Sequence, residues 1–543
     1  MTVEFTRRHL MASAVAFAAA AAVNPFPEVG QPHVARAQDG QPVPAEEQVL
    51  RWMDAGTSRL SVPVYDSFWQ RMSQNVYMTP FVQDREGTIS AGICSEYTVS
   101  DDQLTYIFTM NPDAVWSDGS KVTAQDIKYS WEWMANPTTS GNIYNYYQTQ
   151  AIAGNRDVYD GTATEMSGLV VVDDETLQIT LDQPYTPFIY YCTHNLMGVH
   201  QKENIVNGGP DWDKSPTVAS GPFMVESFDI NSGGLTLVQN PHWWGARPTL
   251  TRVELTPIPD PGTQMITWTN GQADVWPSGG TIEFFRQFGL DEVQDHPAPS
   301  SRFFLLNTRQ PPLDDVHVRR ALQRATDVQT MITGVFGEFV EYANPATGIS
   351  HPVDPAYVER PFLFDVEAAK AELAISKYAD AEIPPIVAVP VYSSDYVKLA
   401  TVMQQMWKDH LDIDLQVVPG DQATAAQTQD AGIRNGGNSV LYLGPGGLLS
   451  WGWHKDNYWF NGAVNTVDEE VEALLIQGDS IPIDDIEGRA AAYAEAEQLM
   501  LDRGYMIPLH WEPWNTVISK RLVNGVLNPT NNLDVINSYI AKS

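Results

Sequence analysis

The sequence predicts a mixed α/β fold of several layers, built as two to four compact units. Length sets the count: the chain has 543 residues, at roughly 100 to 200 per domain. Pattern sets the class, because apolar runs of period two alternate along the chain with runs of period 3.6. Composition agrees, since 43% apolar and 18% charged residues describe a chain with a large core to bury.

Leu104, Tyr106, Phe108 and Met110 alternate with mostly polar neighbours, as do Leu177, Ile179 and Leu181, so each run reads as a strand with one buried face. Thr123 and Asp126 have the spacing of a capping box, and Ile127, Trp131 and Met134 follow at i, i+4 and i+7 on one helical face. Val318, Ala321, Leu322 and Ala325 repeat that spacing after Leu313-Asp314-Asp315-Val316, as do Leu399, Val402, Met403 and Met406. Asp365 is placed to cap a helix running through Ala368 to Tyr378. Pro- and Gly-rich punctuation at residues 257–262, 297–299 and 444–447 marks expected hinges or crossings. No fixed-period repeat of the kind that builds solenoids is present.

The first 37 residues read as an export signal. Thr6-Arg7-Arg8-His9-Leu10-Met11 sets an arginine pair before the Ala-rich apolar stretch 10–23, and Ala35-Arg36-Ala37 offers small residues for cleavage. That is the pattern of a twin-arginine leader. A membrane anchor needs about 20 apolar residues, and Asn24-Pro25-Phe26-Pro27 interrupts this run first. The mature chain is expected in the periplasm or outside the cell.

Thirty-two Lys and Arg against 67 Asp and Glu give a formal charge of -35, which repels polyphosphate and anionic lipid and argues against nucleic-acid binding. Cys94 and Cys192 are too few for a disulfide framework and lack a C-x-x-C spacing for zinc or redox chemistry. Asp173-Asp174-Glu175, Asp314-Asp315, Glu469-Glu470 and Asp484-Asp485 lack the alternating carboxylates and central glycine of a calcium loop. His194 and His200 flank Met197 without a helical metal spacing. Neither a metal nor a cofactor is expected. The phosphate-loop, zinc-protease and G-x-S-x-G patterns are absent, and Gly444-Pro445-Gly446-Gly447 has a proline in place of an amide donor with no basic residue soon after. Binding is therefore favoured over catalysis.

Aromatic residues are the stronger signal: 16 Trp, 22 Tyr and 19 Phe, several of them in polar, Gly-rich stretches. Tyr144, Tyr146 and Tyr147 sit among Asn and Gln, and Trp451, Trp453, Tyr458, Trp459 and Phe460 among Gly, His, Lys and Asn. A ring with a polar rim suits a ligand platform, although most such rings in a chain of this size fill cores.

The order of short motifs resembles the family 5 extracellular solute-binding proteins of ABC importers, the dipeptide, oligopeptide, nickel and oligosaccharide binders. Leu104-Thr105-Tyr106-Ile107-Phe108, Trp116-Ser117-Asp118-Gly119 and Val122-Thr123-Ala124-Gln125-Asp126 resemble the family's signature. Ser220-Gly221-Pro222-Phe223, Asn240-Pro241-His242-Trp243-Trp244-Gly245, Asn270-Gly271-Gln272-Ala273-Asp274-Val275, Pro311 to Arg320, Glu497-Gln498-Leu499-Met500 and Ile507-Pro508-Leu509 follow in the family's order. The resemblance implies a two-lobed periplasmic-binding-protein fold, type II and cluster C-like, with an extra small domain inserted in lobe I. By segment, residues 38–75, 169–296 and 511–543 would form lobe I, 76–168 the inserted domain and 297–510 lobe II. It implies a monomeric receptor, not an enzyme, that closes on a small-molecule solute and docks on a membrane permease. The family's lining segments correspond here to Phe68 and Trp69, Tyr144 and Tyr146, Arg434, Tyr442, Trp451 and Trp453, and His510, Trp511 and Glu512.

One departure bears on the solute. Peptide-binding members carry an aspartate for the terminal ammonium where this chain has Val440-Leu441-Tyr442-Leu443-Gly444-Pro445-Gly446-Gly447, with no acid. A buried ammonium without an opposite charge is costly. Ordinary peptide binding would then need Glu512 or another carboxylate, whereas a neutral, Trp-rich lining suits stacked sugar rings. Two other classes stay open at this stage, a secreted glycoside or peptide hydrolase using a carboxylate pair and a chaperone-like binder of exported chains.

Overall fold

Strand and helix form where the local pattern places them. The computed structural model describes residues 40–61, 67–84, 87–140, 149–277, 293–294, 299–337, 343–391, 394–420, 431–450, 452–455, 464, 466–513, 516–525, 527 and 532–542. The proposed leader lies outside the described residues. The chain divides into two compact units, Met1–Trp276 with Ser519–Ser543, and Pro277–Ile518. Among the described residues no helix is long and apolar enough to cross a membrane.

In the first unit, β1 (Val49–Asp54) precedes a short helix, α1 (Ser67–Met72). A four-stranded antiparallel sheet follows, made of β2 (Cys94–Val99), β3 (Thr105–Met110), β4 (Leu169–Asp173) and β5 (Thr176–Thr180) in the order β2–β3–β5–β4. The alternation is as expected for Tyr106, Phe108, Met110, Leu177 and Ile179, which are buried with their neighbours less so, whereas Leu104 precedes β3 and is half-buried. The α2 helix (Ala124–Ala135) begins at the capping box, where the Asp126 carboxylate accepts from the Thr123 N–H at 2.9 Å, and its Ile127, Trp131 and Met134 face inward. Strands β6 (Phe223–Asp229), β7 (Gly234–Gln239), β8 (Arg252–Pro257) and β9 (Val275–Pro277) belong to another sheet. They and β1 are neighbours in the order β9–β1–β8–β7–β6, with β1 parallel to β8 from Val49↔Arg252 to Asp54↔Pro257.

Cys94 and Cys192 are both buried, free thiols. The Cys94 N–H bonds the Pro80 oxygen at 3.0 Å, and the Phe81 N–H bonds the Cys192 oxygen at 3.2 Å. The two cysteines therefore flank opposite edges of one peptide group.

In the second unit, β10 (Pro299–Leu306), α3 (Val316–Arg324), α4 (Val328–Phe336), β11 (Asn344–Pro345), α5 (Val366–Ala374), β12 (Ile386–Val389), α6 (Ser394–Leu411), β13 (Leu415–Val417), β14 (Ile433–Ser439), α7 (Glu469–Ser480), α8 (Ile486–Asp502) and β15 (Met506–Pro513) surround one six-stranded sheet. Its order is β11–β15–β10–β14–β12–β13. Phe304, Leu306, Ile433, Ile507 and Leu509 pack with buried residues of α3, α4 and α6. Phe303, Leu305 and Met506 belong to a second core with Leu475, Tyr493 and Met500 of α7 and α8. Asp315 caps α3 by accepting from the His317 N–H at 2.7 Å, and Asp365 caps α5 through the Ala368 N–H at 2.9 Å. The α5 helix ends at Ala374 rather than reaching Tyr378, because the Ser376 hydroxyl turns back onto the Leu373 oxygen at 2.8 Å.

The chain passes between units at Trp276/Pro277 and Ile518/Ser519. The punctuation at 257–262 instead ends in the cap of a helix, where Asp260 accepts from the Thr263 N–H at 2.8 Å. Gly446 turns the chain at φ +81° inside the second unit, and residues 297 and 298 lie outside the described residues.

Candidate functional site

The short motifs that order the sequence hold the scaffold together. Trp116 is fully buried, the Ser117 N–H bonds the Ala219 oxygen at 2.7 Å, and the Ser117 hydroxyl accepts from the Ala219 N–H at 3.0 Å. Asn240 donates to the Gly221 oxygen at 2.9 Å. Gly221 itself lies against the Asn75 backbone with no room for a Cβ. In the second unit Arg319 binds the Leu313 oxygen at 2.7 Å and the Arg503 oxygen at 2.9 Å, and the Glu497 carboxylate accepts from the Ile349 and Ser350 amides. These motifs hold the fold together.

The candidate residues divide by unit. Phe68 and Trp69 are fully buried on α1; Phe68 meets Trp52 edge-on at 5.2 Å, and the Trp69 indole donates to the Ser61 oxygen at 2.9 Å. As placed they are core residues of the first unit. Tyr144, Tyr146 and Trp451 lie outside the described residues. Tyr442 is fully buried, its hydroxyl 3.1 Å from that of Ser450, and Trp453 is fully buried against Phe303 at 5.5 Å. The Trp511 indole donates to the Ile349 oxygen at 3.3 Å and sits edge-on to His351 and Tyr357. Arg434 is half-buried on β14.

His510 and Glu512 form the polar end of the second unit's sheet together with a residue that sequence reasoning missed, Arg302. Antiparallel register places Arg302 of β10 across from His510 of β15 and Gly437 of β14, and Ser300 across from Glu512. Arg302 donates its Nε to Glu512 Oε1 and brings Nη2 to the same oxygen, while the His510 Nε2 lies 3.0 Å from Glu512 Oε2. The side chains of Arg302 and Glu512 are 23% and 28% exposed, so the pair reaches solvent, whereas His510 is buried beside Phe336.

Burial raises the Glu512 carboxyl, but the Arg302 charge and the His510 bond overcome it and hold the group at about 2. Burial likewise lowers the Arg302 guanidinium, and Glu512 more than restores it. Burial also raises the Tyr396 hydroxyl, which feels both charges.

Gly436 and Gly437 make this arrangement fit. A Cβ on Gly437 would collide with the Arg302 guanidinium, and one on Gly436 would press the Phe303 ring. The Asn435 amide is committed to the Val391 backbone, accepting from its N–H at 2.7 Å. The signal available in sequence was the Gly pair inside a strand, which marks a close approach. Arg302 itself carried none, since its partner is 210 positions away. Chemically, Glu512 is already paired with the Arg302 guanidinium and bonded to His510, so it offers no spare negative charge to a cation. The His510 Nδ1 is buried without a hydrogen-bond partner among the described residues.

The family model described as bacterial extracellular solute-binding proteins, family 5 middle, matches residues 88–460. The periplasmic oligopeptide-binding protein OppA of Escherichia coli (strain K12) is 26% identical over 493 residues, 87% of this chain and 88% of that protein. Among solved structures, the Escherichia coli murein tripeptide binding protein MppA aligns over 92% of this chain and 99% of its own, with a TM-score of 0.72 at 22% identity. The Haemophilus influenzae OppA complex with RPPGFSPFR aligns over 92% and 100%, with a TM-score of 0.69 at 19% identity. The fold is thus the two-lobed α/β fold of the periplasmic binding proteins.

Proposed function

We propose, from the premise that this chain belongs to the bacterial extracellular solute-binding proteins of family 5, that it is an extracytoplasmic receptor of an ABC importer for a peptide-like solute. It would capture the solute between its two units, hand it unchanged to a membrane permease, and reach the periplasm through the leader at residues 1–37. The observation that carries the reading is the match to an oligopeptide-binding protein over nearly nine-tenths of both chains. The physics suits it: a solute held by both units stabilises the closed form by its differential affinity, and a permease can then tell loaded from empty.

Arg434, Trp511, His510, Glu512 and Arg302, with the segments carrying Tyr144, Tyr146 and Trp451, are the proposed lining. Because Glu512 is paired, the peptide need not present a free ammonium. A second reading, a neutral oligosaccharide, is favoured by that pairing together with the absence of an acid from Tyr442 to Gly447. Thermal-shift titration decides between them, using tri- and tetrapeptides, their N-acetylated forms, and cello- and xylo-oligosaccharides. A ligand at 100 times its Kd stabilises by about 2.7 kcal/mol. Equal shifts with free and acetylated peptides are expected. A shift with sugars alone would replace the peptide reading, and release of product from any of these compounds would make the protein a hydrolase.

A further inference from the structure

We propose that Asp274 is a hinge-positioning residue: its carboxylate and carbonyl tie together, inside the first unit, the two segments by which the chain leaves and re-enters that unit. This rests on the reading that the two units close on a solute. The crossings fall at Trp276/Pro277 and Ile518/Ser519. Asp274 lies two residues before the first of them and is fully buried.

The Asp274 oxygen accepts from the N–H of Ser519, the first residue after the second crossing, at 2.8 Å. Its carboxylate accepts the Arg51 N–H at 3.0 Å and the Arg51 Nε and Nη2 at 2.9 Å each, and it lies 3.4 Å from the Arg521 Nη1. Arg521 is in turn fixed by its own N–H on the Ser519 hydroxyl at 3.2 Å. Arg51 belongs to β1, which pairs with β8 along its whole length. One buried carboxylate thus fastens both crossings to a strand inside the first unit's sheet.

A hinge absorbs its rotation in a few residues at element ends, and fastening both roots at one point gives them a common, fixed support. A bidentate guanidinium fork supplies the direction that a single hydrogen bond lacks. The two arginines have separable jobs. Arg51 joins Asp274 to the sheet, whereas Arg521 joins it to the returning segment. The side chains are 32% and 36% exposed, and changing either one leaves the buried Asp274 carboxylate the other guanidinium as its partner.

The test is pulsed-EPR distance measurement on the full chain, with labels at Ile230→Cys in the first unit and Ile375→Cys in the second, both exposed positions. Arg521→Gln is expected to broaden the unliganded distance distribution and to speed exchange of the Ser519 amide about two- to fivefold, the worth of one half-exposed ion pair. Arg521→Lys should recover part of the narrow distribution. Arg51→Gln should lower the melting temperature and leave the width unchanged, because the Asp274 N–H still bonds the residue-51 oxygen, at 2.7 Å in the parent. A distribution in Arg521→Gln as narrow as the parent's, or equal broadening in both Gln variants, overturns the proposal. The functional reading is scored separately on the parent protein: if trialanine, N-acetyl-trialanine and cellotriose all leave its mean distance unmoved, solute closure fails while the comparison of widths still stands.

Discussion

His454 shows what burial does to a side chain that sequence offered only as one of eleven scattered histidines. Its Nε2 lies 2.8 Å from Asp479 Oδ2 and its Nδ1 3.3 Å from Glu472 Oε1, while Tyr493 donates to the other Asp479 oxygen at 2.5 Å. Both ring nitrogens face carboxylates, so the ring is an imidazolium. Burial lowers its pKa, but the two carboxylates raise it to about 10. A folded pKa above the ordinary 6.5 stabilises fully below 6.5, and the contribution is lost as pH rises through 10. His454→Gln should therefore cost about 3–5 kcal/mol near pH 6, with the deficit closing toward pH 10, read by urea unfolding across that range. Asp354 runs the other way. Its Oδ1 accepts the Ala356 N–H at 2.8 Å, its Oδ2 is buried without a partner among the described residues, and burial reinforced by Glu497 raises the carboxyl to about 7. Ionisation then opposes folding increasingly from pH 3.8 to pH 7. Asp354→Asn should leave Tm near the parent's at pH 4 and raise it by at least about 2 °C at pH 8.

At the scale of elements, glycine positions separate two kinds of constraint. A Cβ at Gly221 would meet the Asn75 carbonyl, which belongs to the backbone and has nowhere to go; one at Gly437 would meet chiefly the Arg302 side chain, which can rotate away. Both Ala variants are overpacked by about 1–3 kcal/mol, and Gly221→Ala is expected at the upper end or beyond. Gly437→Ala should unseat Arg302 from Glu512 and so alter solute affinity by more than its loss of stability would suggest. Denaturant midpoints and thermal-shift titrations of the two variants check the order. The helices were legible because their determinants are local: Thr123 with Asp126, Asp315 with His317, and Asp365 with Ala368 lie within three positions of one another. The α5 C-terminus was not, since a serine hydroxyl that can turn back leaves no periodic trace.

Across the whole molecule the dominant quantity is charge. A formal -35 opposes compaction through self-repulsion, and the screening length falls from about 10 Å at 0.1 M salt to about 3 Å at 1 M. Raising sodium chloride between those limits should raise Tm, measured calorimetrically with the protein free of solute. An unchanged or falling Tm would mean that local pairs such as Arg302 with Glu512 and Arg503 with Asp468, which salt weakens, outweigh the net repulsion.

The sequence by itself determined the α/β class, the strands around Tyr106 and Leu177, the helix starts near Thr123, Asp315 and Asp365, the acidity and the family, because each of these is written in neighbours a few positions apart or in the order of short motifs along the chain. Tertiary structure alone decided where the described polar and aromatic candidates sit. It buried Phe68, Trp69, Tyr442 and Trp453, turned the Trp116 and Gly221 motifs into scaffold, and brought Arg302 to Glu512 and Arg521 to Asp274 across 210 and 247 positions. Those pairings follow from strand register and from where the chain re-enters a unit. Neither leaves a local pattern, since the packing energy that fixes them is shared among residues far apart in sequence.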